Sequence, residues 1–162
     1  MAVYSTAGSK VEIGAIVAQK AGDYVAADFT TALSSPATVG EPETIGTVSV
    51  PWETEEFKSV TDGRTRTFKT VRKGSTFELT CGLDPTDAGQ LALRAAYETQ
   101  SQYAVRVTLA DKPSSGAAPK NSTRTFAAMI MECADDLSAG IGKVKFTIQV
   151  NSNVVITHAS AT

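Results

Sequence analysis

WETEEFKSVTDGRTRTFKTVRKGSTFELT, residues Trp52–Thr80, reads as two long strands that meet at Asp62-Gly63, a favoured two-residue hairpin turn. Folded about that turn, Phe57 faces Phe68, Glu56 faces Lys69 and Glu53 faces Arg72. The first arm is mainly acidic, with Glu53, Glu55 and Glu56. The second is basic, with Arg64, Arg66, Lys69, Arg72 and Lys73. So long and charged a hairpin cannot bury both faces in a small domain. The expectation is that residues 53–73 project and touch something.

Beyond the hairpin, strand patterns dominate. Lys10–Ala18 is strand-like, and Asp23–Leu33 reads as a strand or an irregular arm. Ser34-Ser35-Pro36 and Gly40-Glu41-Pro42 are loop signals. Gly46–Trp52 alternates, with Val48, Val50 and Trp52 on one face. Pro51 lacks an N–H and belongs at a sheet edge or bulge. Ser75–Cys81 alternates with Phe77, Leu79 and Cys81 inward. Gln102–Leu109 places Tyr103, Val105, Val107 and Leu109 on one side. Asp111–Ser122 has the composition of a mobile loop. Thr123–Cys133 is apolar on both faces, as a central strand must be. Ala134–Gly142 is a connector, and Lys143–Val150 alternates with Val144, Phe146, Ile148 and Val150 inward.

One helix is expected, near residues 85–99. Asp84 suits its N-cap, Pro85 its first position, and Asp87 its positive end. Ala88, Leu91, Ala92, Ala95 and Ala96 recur at helical spacing as a small-residue packing face. The sum is a mainly β single domain over residues 1–162. It is a sandwich or half-barrel of seven or eight strands flanked by one helix, with terminal arms at 1–9 and 151–162.

Composition restricts function. With 162 residues, a hydrophobic fraction of 42% and a net charge of -2, the chain can bury a real core, and nothing in its charge suggests a general affinity for nucleic acid or membranes. No apolar run reaches membrane-spanning length. The start, MAVYSTAGSK, lacks the regions of a signal peptide, so folding in a cytoplasm is expected. Cys81 and Cys133 follow strand-like runs and lack CxxC spacing. They read as buried thiols, with a disulfide disfavoured. No phosphate loop, metal spacing or catalytic triad is present, and the lone His158 sits in the tail, so no cofactor and no enzymatic activity are expected. Asp135-Asp136 reads as an exposed turn rather than an acid–base pair. The basic run Arg64–Lys73, interleaved with Phe68, could hold a nucleic-acid strand, but the facing glutamates compete for its charge. Contact with another protein, or pairing within the hairpin, fits better.

The order of parts resembles the tail tube (major tail) proteins of long-tailed, siphophage-type bacteriophages. Two pieces carry the resemblance. In Lys73–Tyr97, KGSTFELTCGLDPTDAGQLALRAAY, the hairpin's return strand runs directly into a capped helix. The other is the later strand Phe126–Glu132. The resemblance extends from about Val11 to Val150. It implies a β-sandwich flanked by a helix, six copies in a ring, and rings stacked head to tail into a tube that passes the genome at infection. It also implies that the chain's first partner is itself, that tape measure, terminator and distal tail proteins follow, that DNA only passes through, and that the protein resides in the virion after synthesis in the host cytoplasm.

On that basis the expected inter-subunit contact residues are Glu53, Glu55, Glu56, Phe57, Arg64, Arg66, Phe68, Lys69 and Arg72. The phenylalanines would anchor and the charges set register. A conduit wall must not grip phosphate, so a lumen with Arg106, Lys143 and Lys145 lacking acidic neighbours would count against this reading. The competing readings are another component of a tail-like machine, such as a terminator, distal tail or contractile-system inner tube protein, and a monomeric β-sandwich binding module. The second would need clustered exposed aromatics.

Overall fold

The computed structural model describes residues 3–162, so the first two residues of the expected N-terminal arm lie outside it. The strands in chain order are β1 (Lys10–Ile16), β2 (Ala37–Thr38), β3 (Pro42–Ile45), β4 (Trp52–Lys58), β5 (Thr65–Arg72) and β6 (Thr76–Gly82). The helix α1 (Ala88–Tyr97) follows, then β7 (Tyr103–Thr108), β8 (Thr123–Asp136), β9 (Lys143–Val150) and β10 (Val155–Thr157). Eight strands make one antiparallel sheet in the order β2-β1-β7-β8-β9-β6-β3, with β10 also paired to β8. β4 and β5 form a separate two-stranded sheet.

Alternation fixes which face of the large sheet is buried. Phe77, Leu79 and Cys81 of β6 and Val144, Phe146 and Ile148 of β9 are fully inaccessible to solvent. Their intervening residues point the other way, as the two-residue period of a strand requires. Each such large apolar side chain contributes about 1.5–3 kcal/mol by leaving water. α1 closes this core face with Leu93 and Ala96. As expected, β8 is central and apolar on both sides. Phe126 and Ala128 enter the main core, whereas Ala127 meets a second, smaller core with Ala104, Val17, Tyr24 and Phe29. The segment between β1 and β2 covers that opposite face. It contains a 3-10 turn at Ala26–Phe29 rather than a strand. Buried Gln102 donates to the Tyr24 hydroxyl at 2.9 Å, and that hydroxyl donates to the Ala18 carbonyl at 2.9 Å, so the polar groups entering this core are satisfied.

Several local expectations need correction. The N-cap of α1 is Asp87, whose carboxylate accepts from the Gln90 N–H at 2.8 Å. Asp84 instead caps a preceding turn by accepting from the Thr86 N–H and hydroxyl, and Pro85 sits within that turn. The buried face of α1 is Gly89, Gln90, Leu93 and Ala96, while Leu91 is half exposed. Gln90 was hidden from a hydrophobic pattern because it is polar. Its amide bonds the Asp84 N–H and the Gly82 carbonyl, which makes burial affordable. The loop signal Gly40-Glu41-Pro42 runs straight into an edge strand, Pro42–Ile45, and of the strand expected over Gly46–Trp52 residues 46–51 are irregular. They still run beside β6, with the Ser75 N–H donating to the Ser49 carbonyl at 3.0 Å. Ala134–Asp136 extends β8 rather than starting the connector.

Candidate functional site: the hairpin and the charged sheet face

Every residue of β4 and β5 is exposed. The hairpin register differs from the one expected. Phe57 pairs with Arg66, Glu56 with Thr67, Glu55 with Phe68 and Thr54 with Lys69, and a bulge then brings Trp52 opposite Arg72. The turn is a four-residue loop, Val60–Gly63, closed by the Ser59 N–H donating to Arg64 and the Gly63 N–H donating to Ser59. Gly63 adopts φ +63°, a left-handed conformation that glycine accepts without a Cβ penalty. Asp62 stabilises the loop by accepting from the Arg64 N–H at 3.2 Å and from Arg66 at 2.7 Å. A hydrogen bond from the Ser59 hydroxyl, then that from Arg64, holds its carboxyl below the usual range.

The slip is by two residues, and two is the period of a strand. Phe57 and Phe68 therefore remain on one face, as diagonal neighbours rather than opposites. With Glu55 and Glu56 they line a shallow hollow of about 370 Å³. The expected ion pairs between the arms do not form. Arg72 reaches Asp23 at 3.6 Å, and Glu53 reaches Lys73 at 3.9 Å. Lys69 and Arg72 flank the Trp52 ring, at 5.9 Å and 4.8 Å from its centroid. Among the described residues, Glu55, Glu56, Lys58, Arg64 and Lys69 are in no ion pair. Sequence reasoning left Trp52 out of the contact set. The signal was the chain's only tryptophan standing at the hairpin's root.

At that root the irregular 46–51 segment, the end of β7 and the chain after β9 enclose a groove of about 620 Å³, lined by Ile45, Val48, Val50, Trp52, Val107 and Leu109 among others. The C-terminal segment 151–162 is tied down. β10 pairs with the start of β8, Lys120 bridges to Ser160, and Asn153 exchanges hydrogen bonds with Tyr24 at 2.6 Å and 2.9 Å.

The sheet face opposite the main core carries three cation–carboxylate pairs. Arg106 lies 2.7 Å from Glu12, Lys143 is 2.7 Å from Glu43, and Lys145 is 3.0 Å from Glu78. Each of the three cations that would trouble a conduit thus has an acidic neighbour.

Among the described residues no catalytic constellation emerges. Cys81 and Cys133 are free thiols. Burial, with a smaller contribution from Asp87, pushes the Cys81 thiol up to about 11, far from a nucleophile's range. Asp135 pairs with Arg94, and no cluster among the described residues has the makings of a metal site. Among the described residues no helix is long and apolar enough to cross a membrane.

Among the described residues one α-helix lies on an eight-stranded sheet with a two-stranded hairpin standing off it, which is a tail tube-like fold. Solved structures of that class match the chain over nearly its whole length. It is similar to the SPP1 tail tube determined by solid-state NMR and cryo-EM, with 17% identity over 93% of this chain and 76% of that one, at a TM-score of 0.65. It is similar to a chain of the anti-feeding prophage baseplate, with 12% identity over 98% of both and a TM-score of 0.66. A chain from the sheath/tube terminator of the PVC extracellular contractile injection system matches at 10% identity over 97% of this chain and 98% of that one, with a TM-score of 0.65. No family model and no curated protein matches the sequence.

Proposed function

We propose that this chain is the structural subunit of a siphophage-type tail tube, forming hexameric rings that stack head to tail into the conduit for genome ejection. The observation that carries the reading is the hairpin. It stands off a complete core, and it presents Phe57, Phe68 and five charges without an ion-pair partner. Solvated groups of that kind gain nothing within the subunit and are free to select a neighbour. The tail tube-like fold supports the same reading. So does the sheet face with neutralised cations, since attraction to many phosphates would stall a passing duplex. Short edges at β2 and β3 suit closure around a ring, because joining edges removes them. The contact residues are Glu53, Glu55, Glu56, Phe57, Arg64, Arg66, Phe68, Lys69 and Arg72, with Trp52 added. The protein's place is then the virion, its role is structural rather than enzymatic, and tape measure, terminator and distal tail proteins are its further partners.

The match to a sheath/tube terminator structure over both whole chains supports a second reading, an end piece of the same kind of machine. Electron microscopy of concentrated protein separates the two. Long stacks of rings with a central hole are expected of the tube subunit, and single rings of an end piece. A strict monomer at high concentration would remove both.

A further inference from the structure

We infer that the surface which receives a neighbour's hairpin is the apolar cluster Leu83, Leu137 and Ile141 with its acidic rim, and that its occupant is the hairpin tip of a second copy of this chain. This rests on the stacking reading above and specifies its missing half. A head-to-tail contact uses two different surfaces, and they must lie at opposite ends of the subunit for the assembly to propagate.

The hairpin's root lies at the Val150 end of β9. The Lys73 N–H donates to the Pro51 carbonyl, the Val150 N–H donates to the Ser75 carbonyl, and Gly74 packs against the Val150 backbone. β6 and β9 then run antiparallel from there to the pair Gly82 and Lys143, about 25 Å away at ordinary strand rise. At that far end Leu83 and Leu137 converge on Gly142: a Cβ placed there would lie 3.3 Å and 3.5 Å from their methyl groups. Leu137 is 70% and Ile141 72% exposed, although both are large and apolar and stand in a short turn. Their exposure has no use within the subunit.

The two ends are complementary in chemistry. Beside the cluster, Asp84 and Asp136 adjoin Leu83 and Leu137 in the chain and Glu41 packs on Gly82, while Glu43 and Asp135 are paired with the two cations there, Lys143 and Arg94, leaving an acidic excess of three. The hairpin from Trp52 to Lys73 has the opposite balance, six basic residues against four acidic. Its tip repeats the pattern in miniature. Val60 is wholly exposed, and Lys58 and Arg64 beside it have no ion-pair partner. An apolar point with cationic flanks fits an apolar cluster with an anionic rim, burying the one while the other fixes register.

The test compares the wild-type chain with a Leu137→Asp/Ile141→Asp variant by sedimentation and electron microscopy, with circular dichroism confirming that both are folded. Should the aspartates disturb folding, Leu137→Ser/Ile141→Ser enters the same assay. The expected result is intact rings that fail to stack, or that need at least about tenfold more protein to do so. A Glu43→Lys/Asp136→Lys variant should fail likewise, and adding Lys58→Glu/Arg64→Glu in the same chain should restore stacking. If the wild type stacks and the apolar variants stack equally well, the acceptor assignment is overturned while the tube reading stands. If the wild type forms no rings or stacks at all, the tube reading fails and this inference falls with it.

Discussion

Lys145 reaches across the β6–β9 pair to Glu78, with 3.0 Å between the ammonium and the carboxylate. It is one of three such cation–carboxylate pairs on the sheet face opposite the main core, the others being Arg106–Glu12 and Lys143–Glu43. The two exposed pairs, at Lys143 and Lys145, add little stability, whereas Arg106–Glu12 is largely buried. Each cancels the field of its own cation on that face, where Lys10, two residues from Glu12, is in no ion pair among the described residues.

Replacing Glu43 and Glu78 by Gln should therefore leave stability nearly unchanged, while Glu12→Gln, which strips the part-buried Arg106 of its partner, should cost about 1–3 kcal/mol; together the three should create an affinity for duplex DNA. The affinity should fall steeply with added salt, as counterion release requires. A filter-binding titration at low and moderate salt measures it. Tight binding by the wild-type chain would be incompatible with a conduit wall on this face.

Deleting residues 55–69 should give a soluble subunit with the wild-type core. Every residue of β4 and β5 is exposed, and they pair only with each other. The variant should melt within a few degrees of the wild type, a shift of about 1 kcal/mol or less, and should form no stacks. Unfolding on deletion would mean that the hairpin belongs to the core.

Phe77 and Phe126 meet edge to face with centroids 6.1 Å apart, and both are fully buried. Phe126→Ala should cost about 3–5 kcal/mol in urea unfolding. Phe57→Ala, made at a side chain 58% exposed, should stay within about 0.5 kcal/mol and should instead weaken assembly.

Gly63 in the hairpin and Gly74 just after it should respond in different measurements. A Cβ at Gly74 would lie 1.8 Å from the Val150 carbonyl oxygen. Gly74→Ala must therefore shift the hairpin's root against β9 and lower global stability by about 1–3 kcal/mol. Gly63 has open space around it but a positive φ. Gly63→Ala should disorder the tip, as seen in amide exchange, without moving the melting temperature, and Gly63→Asn should be tolerated better.

Asp111 closes the loop before β8 by accepting from the Ser122 N–H and hydroxyl. The hydroxyl first, then the N–H, lowers its pKa beneath the ordinary 3.8. Because the folded value is the lower one, its stabilising effect is full above pH 3.8 and is lost as pH falls through the folded value. Amides of residues 112–121 should exchange faster in that acid range. Asp111→Asn should show the loosened loop at neutral pH and lose the acid dependence.

The strands that build the core were legible because burial repeats with the period of the backbone. Val144, Phe146, Ile148 and Val150 alternate without interruption, and they lie where the pattern puts them. α1 was legible in existence but not in orientation. Its buried face includes Gln90, which a hydrophobic pattern cannot select, because its burial depends on the Gly82 carbonyl and the Asp84 N–H being within reach. The hairpin was legible as a hairpin. Its register was not, since Asp62-Gly63 serves a four-residue loop as well as a two-residue one. From Thr54 to Lys58 the even slip preserved which side chains share a face while it changed every partner, and the bulge beyond Thr54 makes the shift odd at Trp52 and Arg72. Leu83, Leu137 and Ile141 were passed over as a group because they come from two separate connectors.

Sequence by itself determined the class of fold, the central place of β8, the single helix and a charged hairpin, because these follow from short-range periodicity and local turn chemistry. Only the tertiary structure decided which charges remain unpaired, which cations of the sheet face have acidic partners, and that an apolar cluster lies at the end of the subunit opposite the hairpin's root. Those features depend on distances between residues far apart in the chain, and such distances are set by how the strands are ordered in the sheet.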